Sequence, residues 1–420
     1  MAGMRRSNVS LAQKTVRSIR LFGLLVAQLC AYSMLSALCF ACPLYLFDCS
    51  GSSTLYGAVA AIAFVPGVLA TPAGGILADH GRHRGVLVVL GIVLMTASLL
   101  FIPMKRSLPL AVVVVAILCV QYGIQSLLKP MLQIETVRMT GPEKVERATA
   151  LVSQITMASN ILGPVVGTAV YGCFGIDALC ETAALTFAMS ALLFGGALKQ
   201  NASSGMTGDS TTCSTCRNDF RESIRYLFQN ASLLVVFLLA AILNLALVGL
   251  TIGAPIVVSK HLGIQSSFVG IIEVAMGLGG LVGSGLVGIW PHRFSFKGIC
   301  RYVAMICFGV VPIIVTLLSG PDELAFAALA AGSAWVMAWA SITSVEIVSF
   351  VQRSAPKELC GKVLALVYMA LSCATPIGQL VYGLAYDRWT PAIVFAGMLA
   401  VLTLTTALFY RLKSRLWRMS

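Results

Sequence analysis

Few ionisable side chains stand in or at the ends of long apolar runs, where an unpaired charge is costly, among them Lys129, Glu135, Glu181, Glu273 and Glu346. A carboxyl group in such surroundings suits one chemistry, taking up and releasing a proton, because only its charged form is penalised. Glu273 is the clearest case. It lies in "VGIIEVAMGLGGLVGSGLVG", whose small residues must pack closely on a neighbour. It reads either as a proton carrier or as a structural, hydrogen-bonded Glu. Glu346 and Glu135, nearer the ends of their runs, are the other proton-coupling candidates. Lys129 reads as an ion-pair partner of Glu135 or Glu346, or as a cation facing a bound molecule.

Neutral polar groups recur at helical spacings in the same runs. Gln28, Tyr32, Gln121, Gln125, Gln154, Asn160, Asn244, Gln379 and Tyr382 suit the lining of a cavity, although such groups also join helices. Other chemistries lack their residues. No G-x-x-x-x-G-K-[ST] phosphate loop occurs, and no His/Cys/carboxylate cluster has metal-ligand spacing, so neither a metal nor any other cofactor is expected. "CSTC" (Cys213, Cys216) has no further ligands nearby and reads as a reduced pair rather than a zinc or redox site.

Apolar helices must position these groups. The 420 residues are 58% hydrophobic and 11% charged, with a mean hydropathy of +0.90, against about 25% charged in soluble domains. Apolar runs at 21–47, 54–78, 85–104, 109–134, 149–173, 177–198, 232–259, 266–290, 299–319, 323–350, 363–386 and 391–410 mostly reach the ~20 residues needed to cross ~30 Å of hydrocarbon. The fold class expected is therefore an all-α integral membrane protein with twelve transmembrane helices. A β-barrel, with alternating strands of about ten residues, is excluded.

The net charge of +13 is a topology signal. With the N-terminus cytoplasmic, 24 of the 29 Lys and Arg fall on the inner side and 4 on the outer. The positive-inside rule then puts both termini in the cytoplasm of a cell (inner) membrane. No nucleic-acid partner is implied. The first apolar run, about 27 residues long, exceeds a signal-peptide core of ~7–15 and reads as an uncleaved span.

Residues 199–231 form the one long polar segment and divide the chain into halves at 1–198 and 232–420. Its first part is Gly/Ser/Thr-rich, a flexible linker; from Asn218 onward, apolar residues alternate with charges as in a short amphipathic helix on the inner membrane surface. The halves repeat. "GPEKVERATALV" (141–152) parallels "APKELCGKVLAL" (355–366), "PVVGTAVYG" (164–172) parallels "PIGQLVYG" (376–383), and "GILADHGRHR" (75–84) parallels "GIWPHRFSFK" (288–297). All three pairs are separated by about 213 positions.

The stretch "GGILADHGRHRG" (74–85) joins spans 2 and 3. Gly75 allows a close helix approach, while Asp79 can meet a helix N-terminus or an Arg at the membrane boundary. With Gly81, Arg82 and Arg84 it forms either a conformational latch or a plain topogenic loop.

Over essentially its whole length the chain resembles the major facilitator superfamily. Gly75, Asp79, Gly81 and Arg82 are similar to that family's signature between spans 2 and 3, with His80 where Arg is usual and one residue missing before Gly81. "GPVVG" (163–167), with Gly163, Pro164 and Gly167, looks like the Gly-Pro motif of the family's antiporters without its final second Gly. "NDFRESIRYLFQNASL" (218–233), Asn244 and "VQRSAPKELCGKV" (351–363) resemble the branch of macrolide-efflux proteins and siderophore exporters. The resemblance implies two pseudo-symmetric six-helix halves, with spans 1, 2, 4, 5, 7, 8, 10 and 11 around a central cavity. It implies a monomeric secondary transporter embedded in lipid, exchanging small molecules for protons and not an enzyme. Export of amphipathic or lipophilic molecules is the expectation. Import or lipid transport by the same fold, or a non-transporting sensor or scaffold, are the alternatives.

Overall fold

The structure is a computed structural model. It describes the backbone of residues 2–79, 83–140, 145–197, 230–265, 268–290, 292–354 and 360–416, and side chains within 19–70, 85–128, 131–136, 139–140, 151–152, 154–196, 230, 233–265, 268–290, 292–351 and 373–411. All regular elements among them are helical. In chain order they are α1 (Ala2–Ser50), α2 (Ser53–Asp79), α3 (His83–Ser107), α4 (Leu110–Thr140), one run at Val145–Ala197, α7 (Ala231–Ile256), α8 (Val269–Ile289), α9 (Ile299–Ser319), α10 (Asp322–Ser354), α11 (Cys360–Arg388) and α12 (Pro391–Leu416). The limbs of the Val145–Ala197 run before and after Gly175 are α5 (145–174) and α6 (176–197).

Gly175 makes two helices out of one run. Its φ of 83° is open to glycine at no steric cost, and its backbone leaves the helical region there. Ten helices among the described residues are long and apolar enough to cross a membrane; one of these covers 43 residues and carries the Gly175 break. With α11, the set is consistent with the twelve spans read from the sequence. Large apolar side chains face outward along the helices, among them Leu69, Leu192, Phe308 and Leu404, as lipid contact requires. Trp290 and Trp389 are exposed just past the ends of α8 and α11, where interfacial aromatic rings belong.

The chain forms two compact units. The first comprises α1 up to Leu46, α2 from Ile62, and α3 to α6. There α5 meets α1 at glycines: a Cβ at Gly167 would come 2.8 Å from the Ala37 carbonyl oxygen, and one at Gly163 would lie 2.8 Å from that of Ser33. At the end of α3, the Lys105 ammonium pairs with Asp177 of α6 and sits 5.5 Å from the Tyr45 ring centroid.

The second unit contains residues 47–61 together with α7 to α12. Its closest contact joins α8 to α10. A Cβ at Gly279 or Gly283 would run into the backbone carbonyl of Ala334 or Ala338 respectively. The four-residue spacing puts both glycines on one helix face, and the absent side chains let two backbones touch. Beside them Tyr302 stacks on Trp339 with centroids 5.9 Å apart, and Trp335 donates to the Met305 carbonyl at 2.8 Å, tying α9 to α10. Phe47 and Tyr56 pack into a cluster with Val248, Ile252, Ile256, Tyr386 and Val394.

Candidate functional site

In the first unit, α1 turns a polar stripe inward. Gln28 is fully buried and Tyr32 nearly so. The Gln28 amide atoms and the Tyr32 hydroxyl have no hydrogen-bond partner among the described residues. On α4, the buried Gln121 accepts from the Cys39 thiol at 3.5 Å, and its Nε2 is unpartnered. Each such orphaned group costs roughly 1–3 kcal/mol unless something satisfies it. Gln125 is partly buried on the same helix, whereas Gln154 and Asn160 on α5 are exposed. Glu135 is buried in the last third of α4. The side chain of Lys129 lies outside the described residues, so its pairing does too.

In the second unit, α7 and α11 are stitched together by polar groups and glycines. The Asn244 side chain donates to the Thr375 hydroxyl at 3.2 Å. Tyr386 donates to the Gly249 carbonyl at 3.0 Å, and the Tyr382 ring lies where a Gly249 Cβ would stand. Gln379, two turns before Asp387, is half-buried with an unpartnered Oε1. Glu346 is buried on α10. Near it a small cavity of about 100 Å³ opens between α7, α9 and α10, lined by Asn244, Thr343 and Ser344 amid apolar side chains. Glu273 sits on α8, less than two turns before Gly279.

One cluster has no counterpart in the sequence reading. Asp387, past the end of the apolar run 363–386, accepts from the backbone N–H of Ser53 at 2.8 Å and of Thr54 at 2.7 Å. It also accepts from the Ser52 hydroxyl at 3.1 Å and the Lys260 ammonium at 3.1 Å. Partial burial alone would push its carboxyl up. The bonds from Thr54 and Ser53 and the Lys260 charge override that and hold it well below the usual carboxylate range. Asp387 is therefore ionised at any pH near neutrality. The only sequence signal was a lone acidic residue in "YDRW"; its partners lie more than 300 positions away or behind a local π turn.

The loop between spans 2 and 3 is described in part. Gly75 and Asp79 belong to α2 and Arg84 to α3, but their side chains, and the whole of Gly81 and Arg82, lie outside the described residues. The amphipathic segment from Asn218 and the Cys213/Cys216 pair lie outside them as well. Among the described residues, no three His, Cys, Asp or Glu side chains are placed to hold a metal ion.

Two helical units built from apolar spans make a multi-pass membrane architecture, and the comparisons agree. Residues 24–378 match the Major Facilitator Superfamily, and the chain belongs to it. No relative among curated proteins matches the chain. Solved structures share the fold at low identity. One is a bacterial homologue of the human lysosomal transporter Spinster, with 13% identity, 96% of this chain and 97% of that one covered, and a TM-score of 0.70. A second is a bacterial homologue of the iron transporter ferroportin, with 15% identity, coverage of 93% and 98%, and a TM-score of 0.70. A third is a mutant of the nucleoside transporter NupG, with 13% identity, coverage of 93% and 99%, and a TM-score of 0.70.

Proposed function

We propose that the chain is a proton-coupled exporter of amphipathic or lipophilic small molecules, of the kind handled by macrolide-efflux proteins and siderophore exporters. It works as a monomer in the cell (inner) membrane, with both termini cytoplasmic. The halves at 1–198 and 232–420, joined by the linker at 199–231, alternate access to the two sides. The observation that carries this reading is the set of carboxyl groups on apolar helices, Glu135 on α4, Glu273 on α8 and Glu346 on α10. In a superfamily transporter without a phosphate loop, they are the groups available for a proton to ride on. The unpartnered amides of Gln28 and Gln121, the Tyr32 hydroxyl and Gln379 supply hydrogen bonds to a neutral or amphipathic substrate. Gln125, Lys129, Gln154, Asn160, Asn244 and Tyr382 complete the proposed substrate contacts. Gly75, Asp79, Gly81, Arg82 and Arg84 form the inner latch. The close α5–α1 approach at Gly163 and Gly167 supports an antiporter-like role for that motif, Pro164 included.

Solved structures of peptide and nucleoside transporters share this fold, so import, or lipid transport, by the same fold is the second reading. Inverted membrane vesicles separate the two. On energisation, vesicles containing the protein should accumulate lipophilic dyes or macrolides, and a protonophore should collapse the accumulation. Indifference to the protonophore, or uptake only in right-side-out vesicles, contradicts the export reading.

A further inference from the structure

The Asp387 cluster joins the two sequence halves, and every one of its contacts lies within the second unit. Ser52 is the N-cap of α2, its hydroxyl accepting from the Leu55 N–H at 3.2 Å. That leaves the N–H groups of Ser53 and Thr54, the first two of the helix, and both point at Asp387. A carboxylate at a helix N-terminus is favoured by the helix dipole as well as by the bonds themselves. Two features hold Asp387 in place. The Tyr386 hydroxyl is bonded to α7, and α7 ends in a π turn, Val257–His261, that presents Lys260. Such turns recur at functional positions.

α2 leaves this unit at Ala61 and enters the first at Ile62. Below the cap, Gly57 and Gly383 approach backbone to backbone, a Cβ at Gly383 falling 2.8 Å from the Ser53 carbonyl oxygen. Movement of the half at 1–198 against the half at 232–420 must therefore break this approach and the cap, or bend α2. The polar contacts are suited to release. The side chains of Asp387 and Lys260 are 23% and 37% exposed, so water can replace each bond as it breaks.

We propose that Asp387, capping α2 and braced by Lys260, is a releasable latch at the end of α2 opposite Asp79, so that α2 carries a latch at each end. This rests on the alternating-access reading given above.

The test uses the full chain in phosphatidylethanolamine/phosphatidylglycerol liposomes. One spin label sits on Cys49, a second on Thr390→Cys, and the other cysteines are replaced by alanine. Pulsed electron–electron resonance should give one dominant distance in this background. Asp387→Asn should raise the longer-distance fraction at least fivefold, and Lys260→Met about twofold. Ser53→Pro is a gentler second variant, since proline is tolerated at the first helical position and only one N–H is lost; it should shift the fraction the same way. The exchange Asp387→Lys with Lys260→Asp should not restore the background distribution, because a cation cannot cap a helix N-terminus. Distributions of Asp387→Asn and Ser53→Pro that superimpose on the background would overturn the latch whether or not transport is observed, as would restoration by the exchange. An opened tip in a chain that moves no tested compound would sustain the latch and count against the transport reading.

Discussion

Glu273→Gln should abolish gradient-driven transport, reducing it to the level of empty liposomes, while expression and substrate binding should stay within about twofold of the unmodified chain. Gln has nearly the shape of the protonated side chain and can never ionise. The variant should therefore keep the conformations that a neutral Glu273 permits and lose the step that couples them to a proton gradient. Downhill exchange of labelled substrate should survive, which separates lost coupling from lost folding. Active transport at the unmodified rate would make Glu273 structural and pass the role to Glu346 or Glu135. The effect should be large because no other carboxyl group stands on α8 to replace it.

Gly283→Ala should destabilise the protein severely, whereas Gly285→Ala, two residues away on the same helix, should leave it unchanged. Both add one methyl group and both raise helix propensity. At Gly283 the methyl would fall 2.8 Å from the Ala338 carbonyl carbon and 2.9 Å from its Cα, so the backbones of α8 and α10 must separate. At Gly285 nothing lies within 4 Å. Overpacking of this kind costs about 1–3 kcal/mol, and here rigid backbone rather than a mobile side chain has to give way. Thermal melting in detergent, read by loss of the monodisperse chromatographic peak, should place Gly283→Ala well below the other two proteins. Equal melting of all three would mean that α8 and α10 are not held by this contact.

The helices were legible because lipid reads the sequence locally. The run at 299–319 became α9, Ile299–Ser319, because a predominantly apolar run of 21 residues has no other stable disposition in a bilayer. The break between spans 5 and 6 was legible too, although as a gap at 174–176 and not as a single left-handed Gly175 within one run. Pairings across the chain were not legible. "GPVVG" announced a motif, but only the structure names Ser33 and Ala37 of α1 as what its glycines touch. The small residues of the helix that carries Glu273 announced close packing without saying that Ala334 and Ala338 would receive it. Asp387 shows the limit most clearly. Two of its partners are backbone N–H groups that every residue but proline possesses, and a third, Lys260, is presented by a π turn that no residue type announces.

The central claim, that substrate export is coupled to proton entry, is tested most directly by proton movement in sealed proteoliposomes. The purified chain is reconstituted with a pH-sensitive dye trapped inside and no imposed gradient, and a lipophilic dye or macrolide that it exports from vesicles is added outside. Substrate entering through the transporter should drive protons outward, so the lumen should turn alkaline at a rate that saturates with substrate. Glu273→Gln should give no pH change while labelled substrate still exchanges. Saturable substrate entry with a flat pH trace in the unmodified protein would contradict proton coupling.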